Sequence, residues 1–336
     1  MPFAILPFLF AFAPSLAAIL RVGLLGLMTK TALLFAGQGA QCVGMGKDLA
    51  ERFDRARMLF DRADADLGCP LSRLCFEGPE AELTKSEFAQ PAIFLVSWIA
   101  FRLLRETVPG FEFQAVAGLS LGEFTALTAA GALAFEDGLR IVRERGRFMQ
   151  EACDATRGGM AAVLGLDEAS TRAVCAEAGV QLANLNCPGQ LVISGEADAV
   201  ARACDLAKAR GARRAVRLPV AGAFHSRLMA GAQSKLAAVL AAAAVSPPTV
   251  PVIANVTAQP HGDPDAIRSR LIEQVTGSVL WEKTIRHLLD AGFTRFVELG
   301  PGTALSGFLR RIDTQAQVLN IADVPSLETT VKALTS

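Results

Sequence analysis

From residue 29 onward, apolar runs of strand length alternate with stretches whose apolar positions recur at helical spacing. TALLFAG (31–37) is a continuous apolar run ending in glycine, which predicts a buried strand and a turn. Residues 47–66 and 91–106 carry helical spacing. FQAVAGLS (113–120) is a second apolar strand, and the helical LGEFTALTAAGAL follows it at once. Residues 136–152 form an amphipathic helix. Between 160 and 220 the pattern changes. MAAVLGL, VQLANLN, QLVISG and ARRAVRLPV read as strands, with DEASTRAVCAEAG and EADAVARACDLAKARG as helices. That order, β-α-β-β-α-β, is the ferredoxin-like split unit. Beyond it the chain predicts a helix at 226–244, a strand PVIANV (251–256), helices at 263–276 and 281–291, a strand RFVELG (295–300) and a final helix after Pro301.

Strands alternating with helices predict an α/β domain with a mostly parallel sheet covered on both faces. Residues 29–157 and 222–336 make up this large domain, and residues 158–221 form a small inserted one. A chain of 336 residues, 51% hydrophobic and 20% charged, can bury such a core. Lys plus Arg and Asp plus Glu are each 33, so the net charge is zero and a nucleic-acid partner is not expected. The seven Cys, at 42, 69, 75, 153, 175, 187 and 204, show no C-x-x-C spacing. They read as buried thiols in a reducing compartment, with no metal site. Residues 1–28 are a hydrophobic extension without charge before Arg21. Three readings stand: a signal peptide lacking its positive start, a membrane anchor interrupted by Pro2, Pro7 and Pro14, or an upstream start ahead of Met28. The third fits a cytoplasmic protein, and these residues are left out of the fold.

Gly118-Leu119-Ser120-Leu121-Gly122 has the G-x-S-x-G form of a nucleophile elbow. Small residues on either side of a serine permit a sharp strand-to-helix turn that exposes its hydroxyl. The amide of Leu121 would then sit at a helix N-terminus, where a developing oxyanion is stabilised. A serine nucleophile needs a base. Of the three histidines, His261 lies in a Pro/Gly turn that suggests solvent, and His287 lies within a helix. His225, in LPVAGAFHSRLM, follows a strand and precedes a helix, so it is the candidate base. No acid at a strand end between Ser120 and His225 completes a hydrolase triad, and a backbone carbonyl or an amide can orient the imidazole instead.

Arg145 is out of place. On the helical wheel of 136–152 it falls in the middle of the half filled by Leu139, Ile141, Val142, Gly146, Phe148 and Met149. A buried guanidinium needs an anion, either a structural carboxylate or a ligand. Beside a nucleophile, a carboxylate-bearing acyl substrate held through two parallel hydrogen bonds is the sharper alternative. The Gly-rich FAGQGAQCVGMG (35–46) matches neither phosphate-loop fingerprint, but it can present a second oxyanion donor near Gln38. VELGPGTALSG (297–307) reads as a structural turn.

GQGAQ, GLSLGEFTAL, RERGRFMQEA, NLNCPGQLVISG, AFHSRLM, EQVTGSVLW and VELGPGTALSGFLRR occur here in one order. Together they resemble the malonyl-coenzyme A:acyl-carrier-protein transacylases over nearly the whole chain from Met28. The resemblance implies an α/β-hydrolase-like large domain with a ferredoxin-like small one. It implies Ser120 as nucleophile, His225 as base, and the Gln38 and Leu121 amides as oxyanion hole. Arg145 matches the arginine that binds the malonyl carboxylate, with Phe224 and Met149 beside the acyl group. Gln274 matches the glutamine whose main-chain carbonyl orients the histidine. Malonyl-coenzyme A as substrate, no bound cofactor, acyl carrier protein as transient partner and a monomeric enzyme follow from the same resemblance. Acyl carrier proteins are generally acidic, which makes Arg213, Arg214, Arg217, Arg310 and Arg311 candidates for docking. The family often has His where Leu119 stands and Pro where Ala36 stands, which bears on elbow packing and not on the chemistry. A bulky Phe224 resembles malonyl-preferring members. The resemblance implies a role in fatty-acid synthesis; a hydrolase or thioesterase using water, an acyltransferase of polyketide synthesis and a silent acyl-binding protein are the rival readings.

Overall fold

The computed structural model describes residues 29–336, and the readings attached to residues 1–28 lie outside them. The described strands are β1 (Lys30–Phe35), β2 (Ala115–Gly118), β3 (Gly158–Leu164), β4 (Gln181–Cys187), β5 (Gln190–Glu196), β6 (Arg214–Arg217), β7 (Val252–Ile253), β8 (Phe293–Leu299) and β9 (Gln317–Ile321). Five of them form a sheet in the order β7-β2-β1-β8-β9, with every pairing parallel. Every residue of β1 after Lys30 is buried, as is all of β2. That is why both read as unbroken apolar runs: a central parallel strand is covered on two faces. The other four form an antiparallel sheet in the order β4-β5-β3-β6.

The helix Ser86–Thr107 is long and apolar enough to cross a membrane, yet 78% of its apolar window is buried inside this fold. Phe94 and Trp98 stack on Phe135 at the start of the helix Phe135–Asp154. The antiparallel sheet has its own core. Val163, Leu182, Ile193 and the helix residues Val174 and Val200 belong to one buried cluster. The small sheet is tied to the large domain where Val279, packed in the core beneath β1 and β7, exchanges hydrogen bonds with the β4 backbone, Leu185 N to Val279 O at 2.9 Å and Val279 N to Ala183 O at 2.8 Å.

Several boundaries differ from the sequence expectation for local reasons. The helix expected over 47–66 is two helices, Lys47–Arg52 and Asp54–Leu67, because Phe53 between them is extended (φ −124°, ψ 119°). The strand expected at 251–256 keeps only Val252–Ile253, since the chain turns away at Ala254. Strand β9 and the helix Val324–Thr335 have no counterpart in the expectation. β9 is an edge strand of mixed polarity, so its period is faint. The helix starts in a capping box between Asp323 and Ser326, a signal present in the sequence. Cys42 is exposed and Cys69 only half-buried, against the expectation of buried thiols; the other five are buried.

Candidate active site

Three adjacent strands, β7, β2 and β1, deliver Asn255, Ser120 and Gln38 just beyond their C-terminal ends. Ser120 turns the chain from β2 into the helix Gly122–Ala129 with φ 52°, in the left-handed region. Holding a non-glycine residue there costs about 1–3 kcal/mol, so its surroundings must enforce it. They do so from both sides. The Ser120 N–H donates to Asn255 Oδ1 at 2.6 Å, and its carbonyl accepts from Gln274 Nε2 at 2.9 Å. The flanking glycines are required by close approach. A Cβ on Gly118 would lie 2.0 Å from Gly122 C, and one on Gly122 would lie 2.2 Å from Phe35 O. Gly37 brings the Gln38 loop against the elbow, for a Cβ there would meet Leu119 O at 2.5 Å. Leu121 caps the N-terminus of Gly122–Ala129. Among the described residues, neither the Gln38 nor the Leu121 amide has an acceptor, leaving both free for a substrate oxygen.

His225 also lies at positive φ, 57°. Its Nδ1 is 2.8 Å from the Gln274 main-chain oxygen and its Nε2 is 2.8 Å from Ser120 Oγ. A carbonyl oxygen only accepts, so Nδ1 carries the proton and Nε2 is free to accept from the serine hydroxyl. No carboxylate touches the imidazole among the described residues; Gln274 O takes the orienting position. Burial pushes His225 down to about 4, the Arg145 charge adds to this, and the Gln274 carbonyl opposes it. The histidine is therefore neutral at physiological pH, the form able to accept a proton. The neighbouring Ser226, not His225, provides the cap, accepting from Leu228 N.

Arg145 is 1% exposed. Its guanidinium donates to Gln90 Oε1 at 2.7 Å, Gln274 Oε1 at 2.9 Å and Ser120 Oγ at 3.1 Å. All three acceptors are uncharged, and the Nε has no partner. Burial pulls Arg145 down to about 10, against the attraction of Glu123, so it stays cationic at neutral pH. The internal ion pair considered for it is not formed by direct contact among the described residues.

Met149 and Phe224 are buried near this cluster; the Met149 sulfur lies 3.4 Å from Gln90 Nε2, and Phe224 immediately precedes His225. Gln90 Nε2 also donates to Gln38 Oε1 at 3.1 Å, tying the Gln38 loop to the arginine. Gln90, Asn255 and Glu123 were not among the sequence candidates. Each is a polar residue inside an apolar run, AQPAIF, VIANV and LGEFTAL, and that mismatch is the signal they carry. His261 overturns the expectation of a solvated turn. Its side chain is wholly buried, 2.7 Å from Glu123 Oε1, because His261 N bonds to Val252 O and pins the turn onto β7. His287 is half-buried in its helix, apart from the cluster. Arg213, Arg214, Arg217, Arg310 and Arg311 are exposed, and Arg311 is in addition tied to Gln190 and to the Pro188 carbonyl.

A parallel α/β sheet, a strained serine at a strand end and a histidine oriented by a carbonyl define a serine-dependent acyl-transfer protein. Residues 32–333 match the family described as acyl transferase domain, and the chain belongs to that family. It is 45% identical over 312 residues to the malonyl CoA-acyl carrier protein transacylase of Bacillus subtilis (strain 168), covering 91% of this chain and 98% of that protein. The crystal structure of acyl-carrier-protein-S-malonyltransferase from Bartonella henselae superposes with a TM-score of 0.87 at 41% identity, covering 91% of this chain and all of that one. A malonyl-transacylase solved with a type II PKS acyl-carrier protein has a TM-score of 0.88 at 38% identity, with the same coverage.

Proposed function

We propose that this protein transfers the malonyl group of malonyl-coenzyme A to the phosphopantetheine thiol of acyl carrier protein through an ester on Ser120. The observation that carries the reading is the shared environment of Ser120 Oγ: 2.8 Å from a neutral histidine and 3.1 Å from a buried arginine with no carboxylate partner. A nucleophile and an unsatisfied cation together fit an acyl group that ends in a carboxylate.

His225 Nε2 takes the Ser120 proton as Oγ attacks the thioester carbon. The carbonyl electrons move to oxygen, where the Gln38 and Leu121 amides stabilise the tetrahedral oxyanion. The carbon–sulfur bond then breaks, and His225 returns its proton to the coenzyme A sulfur. The malonyl carboxylate pairs with Arg145 while the ester waits. The carrier thiol gives its proton to His225, its sulfur attacks the ester carbon, and Ser120 Oγ leaves and is reprotonated. Gln274 holds the imidazole through its main-chain oxygen, in place of the acid of a triad.

The same reading takes the large sheet as α/β-hydrolase-like, built from residues 29–157 and 222–336, with residues 158–221 as a ferredoxin-like insert. The order β4-β5-β3-β6 combined with β-α-β-β-α-β succession supports the second part.

Carrier-protein dependence tests the proposal. Enzyme mixed with malonyl-coenzyme A should form a malonyl adduct on Ser120 and discharge it rapidly only when holo carrier protein is added. Malonate release at one rate with and without the carrier would establish a hydrolase instead.

The depressed His225 sets the pH behaviour. The base works when neutral, so kcat/KM should be level through neutral pH and fall as pH drops through about 4. Stability should weaken over the window above this. Between an unfolded value near 6.5 and about 4 the unfolded chain binds a proton that the folded chain does not. Falling pH therefore favours unfolding there. A rate profile together with thermal midpoints at each pH checks both.

A further inference from the structure

Behind the reacting pair lies a fully buried carboxylate that no step above uses. Glu123, three residues after Ser120, is 0% exposed. Its Oε2 accepts from Asn255 N and from Gln274 Nε2, both at 2.9 Å, and its Oε1 is 2.7 Å from His261 Nε2. Three donors, two from the loop after β7 and one from the end of the helix Pro264–Gln274, converge on one side chain. Only an all-acceptor group satisfies them; an amide would turn its own N–H groups toward other donors.

What those partners hold matters more than their number. Gln274 grips His225 through its main-chain oxygen, Arg145 through Oε1 and the Ser120 carbonyl through Nε2. Asn255 grips the Ser120 amide through Oδ1 and the Gly118 carbonyl through Nδ2. Nucleophile, base and arginine are each one hydrogen bond from a residue that Glu123 fixes. The loop carrying Asn255 and His261 is itself folded tightly back, with Ala254 N bonded to Gln259 O and Ala258 N to Ala254 O. Ala258 in that loop has φ 52°. Among the described residues the non-glycine positions at positive φ are Ser120, His225 and Ala258, so strain outside the reacting pair falls in the loop that closes onto Glu123.

We propose that Glu123, backed by His261, is the positioning residue of this site, acting through the Gln274 and Asn255 side chains to set nucleophile, base and Arg145 in mutual register. The inference rests on the acyl-transfer reading of Ser120, His225 and Arg145. It also accounts for the acid that the histidine lacks: the carboxylate stands one amide further back.

The test compares Glu123→Gln, His261→Gln and His261→Leu with the unaltered full-length chain. Intact-mass kinetics measure Ser120 acylation by malonyl- and acetyl-coenzyme A, alongside thermal midpoints. Glu123→Gln should slow acylation by both thioesters by at least about tenfold, as displacement of reacting groups does. The malonyl-to-acetyl ratio of kcat/KM should also fall, because Arg145 loses its support; a uniform loss of folded enzyme leaves that ratio untouched. Should Glu123→Gln not fold, the His261 pair decides. Glutamine keeps an N–H in the place of Nε2 and should preserve rate and ratio, whereas leucine should lower both. Wild-type rates and ratio in Glu123→Gln or in His261→Leu would overturn the proposal, as would equal deficits in the two His261 variants. A wild-type chain that never acylates at Ser120 would instead overturn the reading on which it rests.

Discussion

Ser120→Ala is expected to lower malonyl transfer by at least about a thousandfold and to abolish the covalent adduct, while leaving the protein folded. The rate follows from the bond that Oγ alone can form. His225 stays anchored to the Gln274 oxygen and Arg145 keeps Gln90 and Gln274, but no hydroxyl stands between them. The fold is spared because the elbow is held by the Ser120 main chain, through Asn255 and Gln274, and not by its side chain. A companion variant exposes the strain. Ser120→Gly places at φ 52° the residue that tolerates it, and should melt above Ser120→Ala. Stopped transfer with a retained midpoint would mark strain held for function. Residual transfer above about one per cent of wild type in Ser120→Ala would remove the serine from the mechanism.

The turn at Ser120 was legible because its surroundings are local. An apolar strand, a glycine-flanked serine and an immediate helix are contiguous, so Ser120 and the Leu121 amide can be placed without tertiary knowledge. Arg145 showed itself by violating the amphipathic period of Phe135–Asp154, and its burial follows from helix geometry alone. Gln274 was different. Its main-chain oxygen does the orienting, and any residue carries such an oxygen, so no side-chain pattern marks it. Glu123 carries no signal of an acid beside the histidine, because it stands one amide back, behind Gln274. His261 misled because a Pro/Gly turn normally faces water, yet here it folds back on β7 and closes the buried network. The sharing of the site among three strands comes from pairings between segments more than 80 residues apart, such as Leu33 with Val116 and Val116 with Val252.

Arg145→Ala should lower kcat/KM for malonyl-coenzyme A by about 10²–10³-fold, the scale of truncating one partner of a buried charge pair. Acetyl transfer should hold or rise. Two effects separate the substrates. The malonyl carboxylate loses its bidentate partner, whereas an acetyl group has no charge to place. The second effect acts through the base. The bare Arg145 charge helps depress His225, so the wild-type enzyme meets an acetyl thioester with a weakened base. If Arg145 holds the malonyl carboxylate as proposed, that charge is offset and its part of the His225 depression is eased. Part of the malonyl preference should therefore appear in the acylation rate and not only in KM. Removing the charge by substitution gives the acetyl thioester the same benefit without the carboxylate. Arg145→Lys should fall between, since it keeps the charge but not the planar fork that meets Gln90, Gln274 and a carboxylate together. Single-turnover acylation of the three proteins by both thioesters resolves these contributions. Equal losses for malonyl and acetyl groups in Arg145→Ala would mean that the arginine only holds the site together.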